Sequence, residues 1–293
     1  MGYAYEAPGT SAVLADIIQQ QISEKGRQWI AAQLEAWQSK GTLQTFNIAF
    51  TAAPRFLGRD EISVPPAARE ALLPRSADGY TADRLFRVWW LLQLPVNDEA
   101  AYVQAIENLF NAGEMNELTA LYGALPFLAF PEAWKLRTAE GVRSNIGSVL
   151  EAIMVRNPYP AQYLEEPAWN QLVMKAFFTD KPVHLITGLD ERANPELARI
   201  LRDFSRERRA AARPVPPMLW RLVGPFLNED NFEDLERAWF SEVHAEREAA
   251  ALACHSSAYP PASKLLESRA GMAAEIQQGL LTWETVAARV NGQ

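Results

Sequence analysis

The sequence predicts an all-α protein made of many short helices, and three observations carry that prediction. Apolar residues recur three and four positions apart along almost the whole chain, which gathers them on one face of a helix. No stretch alternates polar and apolar residues for long, and the Asp78-Gly79 pair precedes a helix-like segment rather than joining two β-branched runs. The chain also has 19 prolines. Pro131, Pro167, Pro182, Pro195, Pro217 and Pro261 fall where helices are expected to start, and there a missing N–H costs little.

Taken in order, Ile17, Ile18 and Ile22 mark a first helix, and Trp29, Ile30, Leu34 and Trp37 a second. Residues 52–78 carry Pro54, Pro65, Pro66 and Pro74 among single charges and read as a long connection. The expected organisation is N-terminal helices and an irregular connection over 1–80, then a helical-repeat domain over 81–293, the whole forming one continuous structural unit. Leu85, Val88, Trp89 and Leu92 start that second part, followed by Tyr102, Val103, Ile106, Leu109 and Phe110. Helices are expected over 167–178 and 195–213. Phe232, Leu235, Ala238 and Trp239 mark another, and an Ala-rich helix follows over 248–255, then Ala262, Leu265 and Leu266. Helix pairs with an Ala-rich second member, at a period of roughly 30 residues, point to degenerate HEAT-like repeats. The expected architecture is an irregular α-solenoid of helical hairpins, with a compact helical bundle as the alternative.

Composition narrows the function classes. At 293 residues the chain has room for a large core, and 22% charged residues is ordinary for a folded protein. With 28 Lys+Arg against 36 Asp+Glu the formal charge is −8, which argues against a nucleic-acid partner and against docking on anionic membranes. Cys254 is the single cysteine, so no intrachain disulfide and no thiolate zinc cage can form. No run approaches the roughly twenty apolar residues of a spanning helix, so no direct membrane insertion is expected. The first residues lack the basic and apolar regions of a signal peptide, and the expected location is the cytoplasm. His184, His244 and His255 show no metal-ligand spacing, and phosphate, dinucleotide and nucleophile-elbow motifs are absent from the sequence. No metal and no cofactor is expected.

The polar residues between 138 and 226 supply the candidate site. Arg199, Arg202, Arg206, Arg209 and Arg213 form one stripe opposite Leu197, Ile200, Leu201 and Phe204, and read as a solvated face. Arg208 projects within roughly 20° of the apolar face and is either a rim residue or a buried cation needing a carboxylate. Asn194 before Pro195 and Glu196 reads first as a helix N-cap, and Asn157 and Asp190 as turn or cap residues. Tyr159 reads as a packing group with a wet hydroxyl. Asn170 and Lys175 are less easily absorbed. Their helix is apolar nearly all round, so Lys175 should sit near a carboxylate or a ligand anion, and Glu151 is the nearest carboxylate in sequence, on a face lined by Ser144, Gly147 and Ser148. A structural Glu151–Lys175 pair is the plainer reading. The ligand-binding candidates are Glu151, Asn170, Lys175, Asp190 and Arg192, with Asn145, Asn157, Tyr159, Asn194 and Arg208 as secondary positions.

Several of these residues, in order, resemble the EboA-domain family. They are Arg143-Ser144-Asn145, Glu151, Asn157-Pro158-Tyr159-Pro160, Ala168-Trp169-Asn170-Gln171 with Lys175 and Phe178, then Gly188 to Leu197, Glu207-Arg208 and Pro217 to Trp220. The resemblance is good over 138–270 and loose before it. It implies a gene set that makes or moves a small metabolite, alongside prenyltransferase-like, sugar-phosphate-cyclase-like, metal-hydrolase-like and isomerase-like proteins. It carries no catalytic residue onto this chain. The function expected is a cytoplasmic helical-repeat accessory protein that binds a small metabolite or another protein of its pathway. Lys175 and Arg192 would hold an anionic group, while Asn170 and Glu151 would fix hydroxyls. The alternative is a cofactor-independent enzyme of the same pathway, with Glu151 as acid/base and Lys175 as electrostatic stabiliser.

Overall fold

A computed structural model describes residues 7–290 and Gly292, and the secondary structure of those residues is eighteen α-helices joined by turns and short 3-10 segments. No extended strand occurs among the described residues, and an isolated antiparallel bridge joins Glu61 and Thr81. The chain divides into two compact units, Met1–Glu165 and Glu166–Gln293.

The N-terminal unit contains α1 (Ala7–Gln21), α2 (Glu24–Lys40), α3 (Leu43–Leu57), α4 (Pro66–Leu72) and α5 (Ala82–Leu91), then α6 (Glu99–Ala112), α7 (Met115–Ala124), α8 (Lys135–Val142), α9 (Gly147–Met154) and α10 (Tyr159–Tyr163). Side-chain oxygens of Ser23, Thr42 and Asp98 accept first-turn N–H groups and start α2, α3 and α6. Helix α5 packs on α1, α3 and α7, and α7 packs on α9, while α2, α6 and α8 lean on α3, α7 and α9. The odd-numbered helices thus gather around α5 and α7 with the even-numbered ones against them, an arrangement compatible with stacked helical hairpins. Trp90 of α5 anchors the core. Its ring stacks on Phe46 at 5.1 Å and on Phe86 at 5.5 Å, and its Nε1 donates to the Phe46 carbonyl at 3.0 Å.

Residues 52–78, expected to be a connection, are partly helical: α3 runs through Pro54 to Leu57, and α4 lies inside the segment. Proline inside a helix leaves the carbonyl four residues back without its donor. Here that carbonyl belongs to Phe50, and Arg87 Nε donates to it at 3.0 Å from 37 residues along the chain. Arg87 is held in turn by Asp83, at 2.7 Å, with both side chains 3% exposed. Burial lowers the affinity of Arg87 for its proton, and the Asp83 carboxylate opposes that.

The C-terminal unit contains α11 (Glu166–Phe178), α12 (Pro195–Ala210), α13 (Trp220–Val223), α14 (Phe232–Trp239), α15 (His244–Ser256), α16 (Pro260–Glu267), α17 (Ala270–Gln277) and α18 (Trp283–Val290). Helix α15 is its axis and packs on α13, α14, α16, α17 and α18. The Ala-rich run Ala249–Ala253 makes that possible, because small side chains let helices approach closely. Gly224 lies close against this run. A Cβ there would lie 2.8 Å from Ala253 Cα. The buried Glu248 of α15 receives Arg289 of α18 at 3.1 Å, with His244 Nδ1 3.6 Å away. Helix α11 is less enclosed than its all-round apolar pattern suggested: Met174 is half-buried, and Phe178 is 68% exposed with its ring beside Phe204.

The arginine stripe of α12 is only partly a solvated face. Arg199 pairs with Glu196 and Asp203 in solvent, as expected. Farther along, Arg206 reaches the buried Asp234 of α14 at 2.7 Å, and Arg209 is half-buried over the Trp220 ring, donating to the Asp234 carbonyl at 2.9 Å. The difference arises because α14 packs against that end of α12 and brings a desolvated carboxylate with it.

Candidate functional site

Among the sequence-predicted candidates, Asn170, Asp190, Arg192 and Asn194 come together in the C-terminal unit, around the loop that joins α11 to α12. The loop turns at Gly188, whose φ of 76° is a left-handed conformation that suits glycine. Asn194 then caps α12, accepting Leu197 N–H at 2.8 Å. Its amide also pairs reciprocally with that of Asn170. Asn194 Nδ2 donates to Asn170 Oδ1 at 2.8 Å, and Asn170 Nδ2 donates to Asn194 Oδ1 at 3.2 Å. Asn170 is 4% exposed, so this pairing is what lets an amide be buried on α11. Arg192 lies over the Trp169 ring at 5.1 Å, a cation–π contact that clips the loop to α11. Asp190 is held by Arg221 in a two-pronged ion pair at 2.6 and 2.5 Å. These contacts clasp the loop to α11, α12 and α13.

The remaining candidates are placed differently. Lys175 is half-buried in the last turn of α11. Arg208 is a rim residue: its guanidinium lies 5.6 Å from the Phe204 ring centre and donates to the Pro214 carbonyl. Glu151, Asn145, Asn157 and Tyr159 belong to the N-terminal unit. Glu151 and Asn145 are exposed there. Asn157 is buried and fully engaged, donating to Tyr122 and Ala152 carbonyls at 3.2 and 2.8 Å and accepting Tyr159 N–H at 3.0 Å. The Tyr159 hydroxyl is not wet. The ring is fully buried, its OH donates to the Pro131 carbonyl at 2.5 Å, and burial pushes its ionisation far upward.

Two concavities of the C-terminal unit can take a small molecule. One is a shallow groove between α11 and α12, with Asn170, Gln171, Glu166 and Glu196 around Met174 and Ile200. Glu196 is already committed to Arg199, which holds its carboxyl below the usual range. The other is a half-enclosed cavity of about 260 Å³. Phe177, Val183, Pro217, Met218 and Ala287 form its apolar wall, and Asp180, Lys181 and His184 its polar edge. Its volume equals about nine waters at ~30 Å³ each, enough for a small organic molecule. An apolar wall with a few convergent polar groups is the usual make-up of a ligand site. The sequence reading missed it. The available signal was a pair of proline-punctuated turns, Lys181-Pro182-Val183-His184 and Pro216-Pro217-Met218, each starting a 3-10 turn. Among the described residues, no group of three or more His, Cys, Asp or Glu side chains is arranged to hold a metal ion.

A profile of the family described as "Metabolite traffic protein EboA" matches residues 10–224, well over half of the chain. Neither a curated protein nor a solved structure matches it significantly.

Proposed function

The chain belongs to the EboA family, and from that premise we propose that it holds a small metabolite without transforming it, seated in the cavity walled by Phe177, Met218 and Ala287. The single observation behind this reading is that cavity, half-enclosed and mainly apolar, in a member of a family named for metabolite traffic. A molecule with an apolar body and one or two polar substituents fits it. The body would leave water against Phe177, Val183 and Met218, and the substituents would meet Asp180, Lys181 and His184 at the edge. In this reading the clasp of Asn170, Asn194, Arg192 and Asp190 is support. It stiffens the loop leading from α11 to α12, and a rigid frame lowers the cost of ordering a site around a ligand. The protein would work in the cytoplasm, passing its cargo to or from other proteins of its pathway. No helix among the described residues is long and apolar enough to cross a membrane.

Methionine-methyl NMR tests the seat of the ligand. The low-molecular-mass fraction of a host-cell extract is added to protein labelled at its methionine methyls. The Met218 signal should move and that of Met115 should stay. An Ala287→Phe protein, folded by circular dichroism, should lose the response because the ring fills the cavity. If Met174 moves and Met218 does not, the ligand sits in the α11–α12 groove and the proposed seat is wrong.

A further inference from the structure

A third concavity of the C-terminal unit, of about 450 Å³, meets the metabolite cavity at Pro217 and Val290 but has a different character. Arg209, Arg213 and Arg289 all line it, against one carboxylate, Glu246. In a chain with a formal charge of −8 this concentration of guanidinium groups stands out.

The three arginines are not spent on one another's partners. Arg213 is exposed and pairs with no carboxylate among the described residues. Arg209 donates one Nη to the Asp234 carbonyl, but its Nη2 is buried without an acceptor. Desolvation weakens the hold of Arg209 on its proton, and Glu246 offsets this only in part. A buried donor left unmade costs roughly 1–3 kcal/mol, so a rotation that brings Arg209 onto an incoming oxyanion relieves an existing penalty. Arg289 Nε lies 3.1 Å from the buried Glu248 carboxylate, an ion pair that places Arg289 at the groove. With the buried Glu248 counted, three guanidinium groups meet two carboxylates, a net of one positive charge. Three forks around one groove suit a phosphate, whose several oxygens can accept from more than one guanidinium at once. Pro214, Val215 and Val243 continue the wall as an apolar surface, with Val243 55% exposed.

We propose that this groove binds a phosphate monoester, with its phosphate between Arg209, Arg213 and Arg289 and an apolar substituent along Pro214, Val215 and Val243. Guanidinium forks match phosphate oxygens in pairs, which makes arginine the side chain of choice for such a head group. The groove draws on α14–α15 and α18 residues beyond position 224, outside the part of the chain that the family profile covers. The inference stands apart from the metabolite cavity, since the arginines that would hold the phosphate do not line that cavity and the ligand chemistry differs.

The test is calorimetric titration of the full chain with hexyl phosphate, and with hexanol as the uncharged control. Hexyl phosphate should bind and hexanol should not. Arg213→Glu, at an exposed position, should fold as the parent does and lose affinity about tenfold or more, as expected for a hydrogen bond to a charged group. Arg199→Glu reverses the same kind of charge on α12, away from the groove, and should bind like the parent, which separates the groove from general electrostatics. A parallel arm uses phosphatidic acid vesicles: binding to vesicles but not to the soluble ester, lost in Arg213→Glu, assigns the phosphate to a lipid. No binding in either arm overturns the proposal. So does an Arg213→Glu protein that binds as tightly as the parent, or an Arg199→Glu protein that loses affinity equally.

Discussion

The Arg87–Asp83 pair inside α5 makes a sharp prediction about helix α3. Replacing Arg87 by Met removes the partner of Asp83, whose side chain is only 3% exposed, and takes the Nε donor from the Phe50 carbonyl. Breaking a buried ion pair from one side costs about 3–5 kcal/mol, because the other charge stays buried. At about 2–4 °C per kcal/mol for a unit of this size, the melting temperature should fall by roughly 6–20 °C. The carbonyl contribution can be isolated through Pro54. Pro54→Ala restores a backbone N–H four residues after Phe50, so in the Arg87→Met background it should recover about 1–3 kcal/mol, the cost of an orphaned buried acceptor. In the parent, Arg87 already serves that carbonyl. Pro54→Ala alone should then change stability by no more than ~1 kcal/mol, since it gives up the proline's restraint on the unfolded chain. Thermal and urea unfolding of the four proteins, followed by circular dichroism, gives the coupling directly. If the two changes add within about 0.5 kcal/mol, Arg87 does not compensate Pro54 and the account of α3 fails.

Three further predictions follow from the packing. Asn194→Ala removes the cap of α12 and leaves the Asn170 amide buried without its partner, so it should cost about 2–4 kcal/mol in unfolding experiments, the sum of a lost cap and an unmade bond; a neutral result would mean the clasp is not structural. Gly224→Ala should destabilise strongly, because the new Cβ meets Ala253 Cα and backbone oxygen within 3 Å, whereas Gly271→Ala, with nothing within 4 Å, should be neutral or stabilising; equal melting temperatures would contradict the close approach of α15. The Cys254 thiol is buried, and burial pushes its pKa up to about 12. A raised folded value favours the protonated native state below the ordinary thiol range, and this contribution is lost as pH rises towards 12. At pH 8 Cys254 should therefore resist a thiolate-selective reagent in the folded chain and react fully in denaturant, and rapid labelling of the native protein would refute its placement.

Helices were legible wherever one face repeats. The Leu85–Leu92 pattern became α5, the run from Tyr102 to Phe110 lies inside α6, and Asn194-Pro195-Glu196 did start a helix. The segment 52–78 was misread because its helical stretch depends on a donor 37 residues away, and local pattern carries no trace of such a partner. The same limit applies to the site. Asn194 was recognisable as a cap from its neighbours, but its second role, pairing with Asn170 over 24 residues, is set by how α11 meets α12. Asp190 looked like a turn residue and is in fact gripped by Arg221, 31 residues on. The arginine stripe of α12 gave no sign that α14 would cover one end of it. Cavities are harder still: the Met218–Ala287 cavity is walled by side chains from α11, two proline turns and α18, and no short motif encodes their closure.

The central claim, a small molecule held non-covalently in the Met218–Ala287 cavity, is met most directly by native against denaturing mass spectrometry of the protein purified from its own host. The account predicts an added small-molecule mass on the native chain, gone after denaturation and missing from the folded Ala287→Phe protein. A bare chain in both proteins, or the same added mass on both, would contradict it.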